Sequence, residues 1–196
     1  MSDATAIQEQ IEELQNQVQS TVEELQRLRR ELPPEPVEDY VFHNTEGEIR
    51  LAQLFGEQRD LILIHNMGRG CSYCTLWADG FNGLVAPLQD RAALVVVSSD
   101  PPEGQQEFAE LRGWRFPMAS TQGTSFTADM GFVREHDGKV TDWPGCSTFR
   151  KQDDGTIVRI AQDVFGPGDA YCSIWHLFAL LHDGADGWQP RYDYDA

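Results

Sequence analysis

The chain has 196 residues, enough for one domain with a sizeable core and an accessory segment. Its 32 acidic and 15 basic residues give a formal net charge of -17 at pH 7, and a field of that sign repels nucleic acid and anionic membranes. Residues 1–4 lack a signal-peptide pattern, and no stretch approaches the roughly 18 apolar residues of a membrane-spanning helix. We therefore expect a cytoplasmic protein that binds neither nucleic acid nor a membrane.

Apolar side chains recur at alternating steps of four and three through the first 32 residues. The series consists of Ile7, Ile11, Leu14, Val18, Thr21, Leu25, Leu28 and Leu32. This a/d heptad pattern makes a narrow stripe, which is typical of a coiled-coil seam rather than of a core helix. We predict that residues 1–32 form a helix that pairs two chains into a homodimer. The alternative is a solvated helix folded back on its own domain.

Prolines at positions 33, 34 and 36 end this helix, because proline lacks the N–H that a helix interior requires. The sequence thus predicts a coiled-coil helix with a proline linker at 1–36 and a second domain at 37–196. The uninterrupted apolar run at 93–97 indicates a parallel strand covered by helices on both faces. The elements predicted in the second domain are a hairpin at 40–50, a short helix at 51–55, strand 60–66, helix 72–89, strand 92–98, helix 102–112, strand 116–118, a helical turn at 125–131, a hairpin formed by 147–150 and 156–160, helix 169–181 and an irregular tail at 183–196.

The tetrapeptide Cys-Ser-Tyr-Cys at residues 71–74 lies where the strand at 60–66 gives way to a helix. This position puts both sulfurs in the first helical turn, within disulfide reach and at the helix's partial positive end. The preceding Gly68 and Gly70 indicate an exposed loop with close backbone approach. The motif predicts a thiol redox site, although the same spacing also supplies half of a zinc site.

At a redox site, Cys71 is the more exposed sulfur and is predicted to be the attacking thiolate. Its pKa would be lowered by the helix N-terminus and by Arg69 or His65, and Cys74 would resolve the mixed disulfide. This chemistry needs no organic cofactor. The alternative is that both cysteines are inert core residues.

Cys146 and Cys172 complete a set of four unevenly spaced cysteines, which does not suggest a secreted disulfide framework. We expect Cys146 to pack beneath the site, with a redox or metal-binding role as the alternative. Cys172 and His176 are four residues apart on one helix face. With Cys71 and Cys74 they could form a zinc set, the alternative being a buried cysteine and a surface histidine.

The helix after the motif carries three further side chains of interest. Trp77 and Phe81 follow by one and two turns, and we expect them to pack in the core. Asp79 is expected to be solvated or structural, because Gly80 and a nearby turn signal explain it without catalysis. The alternative is that it takes a proton from Cys74.

The order of elements around Cys-x-x-Cys resembles the thioredoxin fold. Residues 96–103 and 108–118 are similar to the peroxiredoxin stretch in which a strand, a helix and a Phe-Pro strand follow the active site, and 147–155 resembles the penultimate hairpin. Residues 70–81 resemble an uncharacterised bacterial thioredoxin-like family with a Gly-Cys-x-x-Cys and Trp-Ala-Asp signature. The resemblance spans roughly residues 40–182 and implies an α/β fold, thioredoxin-like and peroxiredoxin-type, with helices flanking a central sheet.

The chain departs from these relatives at the site. Ser147 takes the position of the cis-proline that faces the dithiol in thioredoxins. Cys74 falls on the peroxidatic position of peroxiredoxins, and Cys71 on their threonine. A peroxidase also needs an arginine beside its thiolate, for which Arg69 and Arg150 are the candidates.

The sequence thus predicts a thiol:disulfide oxidoreductase that uses Cys71 and Cys74, with thiol peroxidase activity as an extension. Its substrates would be protein or small-molecule disulfides or peroxides. The rival hypothesis is a non-catalytic binding or scaffold module, dimerised by the N-terminal helix, whose cysteines are structural or hold zinc.

Overall fold

The computed structural model describes residues 3–136 and 138–194. The chain divides into two compact units, at residues 1–34 and 35–196. Residues 1 and 2 of the predicted N-terminal helix and residues 195 and 196 of the predicted tail lie outside the described residues.

The first unit is the helix α1 (Asp3–Glu31). None of its described residues is buried, and the apolar side chains of the heptad series are between 41% and 64% exposed, with Val22 beside Thr21 adding to the stripe. Arg27 links Glu24 and Glu31 along one face by ion pairs of 2.6 and 2.5 Å, a spacing that supports an isolated helix. Among the described residues, no helix combines the length and apolar character needed to cross a membrane.

The second unit combines a sheet with helices. Its strands are β1 (Glu35–Val37), β2 (Val41–Asn44), β3 (Gly47–Arg50), β4 (Asp60–His65), β5 (Ala93–Ser98), β6 (Met118–Ser120), β7 (Val133–His136), β8 (Lys139–Asp142), β9 (Gly145–Lys151) and β10 (Ile157–Val164). Its helices are α2 (Leu51–Leu54), α3 (Ser72–Asn82), α4 (Val85–Arg91), α5 (Pro102–Arg112), α6 (Phe126–Asp129) and α7 (Ser173–Phe178). Within the described residues, eight strands form one sheet in the order β1-β10-β9-β4-β5-β6-β2-β3, and β7 pairs with β8.

The centre of the sheet is buried on both faces. Strands β4, β5 and β6 are parallel, as the apolar run predicts, and β9 pairs antiparallel with β4. Leu63 and Val95 point into one core, which is closed by Phe126 of α6, while Leu94 points into a second core beneath Trp77 of α3. The predicted α/β architecture, with helices flanking a central sheet, is therefore confirmed.

Two predicted helices are shorter in the structure. The helix predicted at 72–89 is interrupted after Asn82, because Gly83 ends α3. Pro87 has no N–H to donate, so it is tolerated only in the first turn of a new helix, α4. The helix predicted at 169–181 begins at Ser173. The Asp169 carboxylate accepts the backbone N–H groups of Tyr171 and Cys172 and holds a turn there instead.

Other boundaries differ because strand pairing, rather than local pattern, decides them. Glu35 and Pro36, which the sequence places in the linker, form an edge strand with β10, where proline is tolerated because its missing N–H faces away from the ladder. The strand expected at 116–118 is β6, two residues later. The β7–β8 pair was not predicted.

His65, the last residue of β4, lies in the first core and not at the dithiol. Its ring is 2% exposed and stacks on Phe132 at 3.7 Å, while Nε2 is 2.9 Å from the Ser147 hydroxyl. Gly145 makes this packing possible, since a Cβ there would lie 2.3 Å from the Phe132 ring. Burial, reinforced by the positive charge of Arg159, lowers the pKa of His65 to about 3.

Because His65 is buried in its neutral form, we predict that the folded protein is destabilised by acid. In the unfolded chain His65 binds a proton below about pH 6.5, whereas in the folded protein it does so only below about pH 3. The free energy of unfolding therefore decreases as the pH falls through this window. Lowering the pH from 7 to 5 should cost about 2 kcal/mol through His65. Urea unfolding of wild type and His65→Phe at both pH values measures it. The exposed His182→Gln is the control, and equal pH slopes in wild type and His65→Phe would contradict the prediction.

Candidate active site

The loop from β4 to α3 is held against the carboxyl end of β5. Gly68 has a φ of +96°, and a Cβ at this residue would lie 2.6 Å from the Asp100 carboxylate, so only glycine fits. The same carboxylate accepts the Arg69 backbone N–H at 2.7 Å. The predicted close backbone approach is therefore present, although Gly68 is buried rather than exposed.

Asn66 fixes the same loop from the inside. Its backbone N–H donates to the Val97 carbonyl at 2.9 Å, and its side-chain oxygen accepts the Gly68 N–H at 2.8 Å. Its amide also donates to the Cys74 carbonyl at 3.4 Å. The loop geometry at the motif thus depends on two polar side chains, Asn66 and Asp100, to which the sequence analysis assigned no role.

Cys71 and Cys74 lie together at the start of α3. Cys71 is the N-cap residue, and its sulfur accepts the Cys74 backbone N–H at 3.2 Å. Cys71 is half-buried, whereas Cys74 is 2% exposed, and both are reduced in this structure. The predicted difference in exposure between the two sulfurs is therefore present.

The pKa values of the two thiols are shifted in opposite directions. The Cys74 thiol donates a hydrogen bond to the Cys71 sulfur, and together with the backbone N–H groups of Cys74 and Tyr73 it lowers the pKa of Cys71 to about 6. The same hydrogen bond, with burial and the negative charge on Cys71, raises the pKa of Cys74. The pKa values of the two neighbouring thiols are therefore shifted in opposite directions from the ordinary cysteine value.

The charged side chains proposed to assist Cys71 lie elsewhere. His65 faces the opposite core as a neutral ring. The guanidinium of Arg69 lies against α5, with a nitrogen 3.2 Å from where a Cβ on Gly104 would be. Arg150 pairs with Asp60 at the amino end of β4, the far end from the motif, with N···O distances of 2.7 and 3.0 Å. The expectation that Arg69 or His65 lowers the pKa of Cys71 therefore receives no support from the contacts, and Arg150 does not lie where a peroxidase places its arginine.

The residue predicted to take the cis-proline position is also misplaced. Ser147 lies inside β9 opposite Leu63, is fully buried and faces the core that contains His65. The residue before β9 is Pro144, which is buried at the carboxyl end of β4, and the described residues contain no cis peptide bond. Strand β9 begins at Gly145, two residues before the predicted start of the hairpin.

The other two cysteines belong to the second core. Cys172 is 7% exposed, and burial raises the pKa of its thiol. Cys146 is partly buried and packs against the same core. His176 is exposed, with Nε2 2.9 Å from the Asp169 carbonyl. Within the described residues, no three His, Cys, Asp or Glu side chains are arranged to hold a metal ion, so the proposed zinc set does not come together.

Asp79 joins α3 to α5. Its carboxylate forms a two-pronged ion pair with the Arg112 guanidinium and accepts the Trp114 indole N–H at 2.8 Å. Trp77 and Phe81 pack in the second core. These contacts give Asp79 a structural role, as the sequence favours.

Aromatic side chains flank the dithiol, a feature that the sequence analysis missed. Tyr73, inside the motif, stacks on Trp175 of α7 with ring centroids 6.0 Å apart, and Trp175 contacts Trp188 of the tail at 5.5 Å. Burial, and after it negative charge on the dithiol sulfurs, raises the pKa of the Tyr192 phenol. The aromatic character of residues 188–194 is visible in the sequence, but its position is not.

The chain is similar to solved peroxiredoxin structures. Peroxidoxin BcpB from Mycobacterium tuberculosis is 26% identical with a TM-score of 0.54, and the match covers 71% of this chain and 88% of that one. Reduced Prx3 from Vibrio vulnificus in complex with hydrogen peroxide is 15% identical with a TM-score of 0.55, over 70% of this chain and 87% of that one. A cysteine variant of peroxiredoxin Q from Xanthomonas campestris is 22% identical with a TM-score of 0.50, over 71% and 91%.

These likenesses confirm the predicted thioredoxin-like fold of the peroxiredoxin type. No curated protein matches the chain in sequence. The predicted resemblance to an uncharacterised bacterial family related to the peroxiredoxins is confirmed by a family profile that matches residues 5–191. The chain belongs to the family described as bacterial protein of unknown function DUF899.

Proposed function

We propose that the protein is a thiol:disulfide oxidoreductase in which Cys71 is the nucleophile and Cys74 the resolving thiol. The observation that carries the proposal is the geometry of the two thiols: the half-buried Cys71 sulfur caps α3 and accepts the Cys74 N–H at 3.2 Å, and Cys74 is buried behind it. In this arrangement the pKa of Cys71 is lowered to about 6 and that of Cys74 is raised. A low pKa supplies the thiolate that attacks, and a high pKa keeps the second thiol protonated until it is needed.

In the proposed reaction, the Cys71 thiolate attacks one sulfur of a substrate disulfide. A mixed disulfide forms, and the other substrate sulfur leaves as a thiolate that takes up a proton. The Cys74 thiol then loses its proton and attacks the Cys71 sulfur, which forms the Cys71–Cys74 disulfide and releases the second substrate thiol. Two electrons pass from the dithiol to the substrate, and a thiol or dithiol reductant of a reducing cytoplasm would restore them.

The likeness to peroxiredoxins supports a peroxide as a second class of substrate. The Cys71 thiolate would attack one peroxide oxygen and become a sulfenic acid while the other oxygen leaves as an alcohol or water. Cys74 would then condense with it to give the disulfide and water. Cys74, on the peroxidatic position, is the less suitable nucleophile because its thiol is buried and its pKa is raised. We therefore place Cys71 at the peroxide as well.

We also propose that the stripe on α1 pairs two chains into a dimer, since its seven exposed large apolar side chains on an otherwise polar helix gain little in water without a partner. The rival hypothesis, a scaffold module with inert cysteines, would retain the fold and this dimer. It differs in predicting thiols of ordinary reactivity, so measurements on the dithiol distinguish the two.

The acidity of Cys71 should appear in its alkylation by iodoacetamide. The Cys74→Ser variant keeps a hydroxyl donor. In this variant the rate of Cys71 alkylation should rise with pH around a midpoint near 6, and not near about 8.5, the ordinary pKa of a cysteine thiol. At pH 7, Cys71 in this variant should react about tenfold faster than Cys74 in Cys71→Ser. Peptide mass spectrometry assigns each label, so that Cys146 and Cys172 are counted separately. A faster Cys74 would make our nucleophile wrong.

Mild oxidation with diamide should produce an intramolecular Cys71–Cys74 disulfide, because one helical turn already holds the two sulfurs within hydrogen-bond distance. Non-reducing peptide mapping identifies the bridge, and Cys172→Ser is the matched control that should give the same product. A dominant bridge to Cys146 would contradict the assignment of Cys74. Retention of all thiols would instead favour the scaffold hypothesis.

The dimer should depend on the stripe. Leu14→Glu and Leu25→Glu each put a charge into the apolar stripe and should shift the protein towards monomer in sedimentation velocity. Gln19→Glu, on the exposed face beside Glu23, is the control and should behave like wild type. Three to four heptads give modest affinity, so the comparison needs a concentration series. Removal of residues 1–34, which keeps strand β1, should leave a redox-active monomer. If wild type is itself monomeric throughout, the proposal fails.

A further inference from the structure

A cavity opens at the amino end of β4, the opposite end of this strand from the dithiol. Its volume of about 360 Å³ lies within the range of about 300 to 1,000 Å³ that is usual for small-molecule sites. Its walls come from the first residues of β4, the C-terminal end of α4, and strands β9 and β10. The cavity is therefore separate from the site around Cys71.

The floor of the cavity is apolar and belongs to the face of the sheet that carries the second core. Ile62 of β4 packs against that core and lies directly opposite Thr148 of β9, so their side chains share one face. Ile160 of β10 also lines the cavity. All three side chains are only partly buried, so part of this floor remains open to solvent.

Two arginines line the same cavity and share one carboxylate. Asp60 accepts Nη1 of Arg91 at 2.8 Å, and Nε and Nη2 of Arg150 at 2.7 and 3.0 Å. The hydrogen bonds from Arg150 and Arg91, against the opposing effect of burial, lower the pKa of Asp60 to about 2. Asp60 is therefore ionised at neutral pH and cancels one of the two positive charges. The other remains, in a chain whose net charge is -17.

Both guanidinium groups keep donors for a second acceptor. The side chains of Arg91 and Arg150 are 74% and 47% exposed, and within the described residues they have no hydrogen-bond acceptor other than Asp60. Nε and Nη2 of Arg91 and Nη1 of Arg150 are thus unpaired. The planar N–H groups of a guanidinium match the two oxygens of a carboxylate. A second carboxylate can therefore bind these arginines at the edge of the apolar floor.

We propose that this cavity binds a medium-chain carboxylate, with its head group on Arg91 and Arg150 and its alkyl tail on Ile62 and Ile160. Charge complementarity selects the head group, because the residual positive charge and the unpaired N–H groups favour an anion. The apolar floor selects the tail, and the volume of the cavity restricts its length. The site uses none of the dithiol residues, so this proposal stands apart from the function proposed for Cys71.

The test is a titration of the isotope-labelled full-length protein, in which octanoate is added and backbone amide chemical shifts are followed by NMR. Shifts should move at Ile62, Thr148 and Ile160. Octan-1-ol, which lacks the charge, and acetate, which lacks the tail, should each bind at least about tenfold more weakly than octanoate. Arg91→Gln should weaken octanoate binding about tenfold and change octan-1-ol binding by less than about twofold. Ile160→Ser should weaken the binding of both compounds about fivefold.

Arg59→Gln is the matched control, because Arg59 is 66% exposed, pairs with Asp153 and does not line the cavity. It removes the same charge as Arg91→Gln and should bind octanoate like wild type. Failure of wild type to bind octanoate would overturn the proposal. Equal losses in Arg59→Gln and Arg91→Gln would also overturn it, by assigning the effect to overall charge. If octanoate does not bind and Arg91→Gln shifts the protein towards monomer in sedimentation velocity, the face is instead an interface between copies of this chain.

Discussion

The hydrogen bond from the Cys74 N–H to the Cys71 sulfur joins the structure of this protein to its chemistry. A helix N-terminus leaves backbone N–H groups without partners, and a side-chain oxygen from serine, threonine or aspartate usually accepts one of them. Here a sulfur does so at 3.2 Å. The contact that caps α3 therefore also favours a negative charge on Cys71, in addition to the larger effect of the hydrogen bond from the Cys74 thiol.

Contacts before and after the Cys71 cap hold the surrounding backbone in place. Asn66 and Asp100 fix the loop before it, and the narrow space between Gly68 and the Asp100 carboxylate leaves room only for glycine. Behind it, Asp79 and Arg112 tie α3 to α5 and to the tail. Charged groups at the site thus serve to hold backbone in place, and the acidity of Cys71 comes from the first turn of the helix.

The fold was largely predictable because its signals are local. The apolar run in β5 can be buried only between two layers, and the Asp-Gly turn at 154–155 joins two strands that pair as expected. The β7–β8 pair also has an Asp-Gly signal in the sequence, at 137–138, and was overlooked because its strands are short and mostly exposed. Helix ends were less predictable, since Pro87 acts by lacking an N–H donor and Asp169 by accepting two backbone N–H groups, and periodicity registers neither effect.

The sequence by itself determined that two cysteines one helical turn apart follow a buried strand, which is a matter of spacing and local propensity. Only the tertiary structure decided what surrounds them. His65 faces the far core although it is six residues from Cys71, because alternation along β4 and the ring of Phe132 direct it there. Arg112 and Tyr192 meet across 80 residues of sequence. Such contacts follow from how helices and tail pack on the sheet, and no local pattern contains that information.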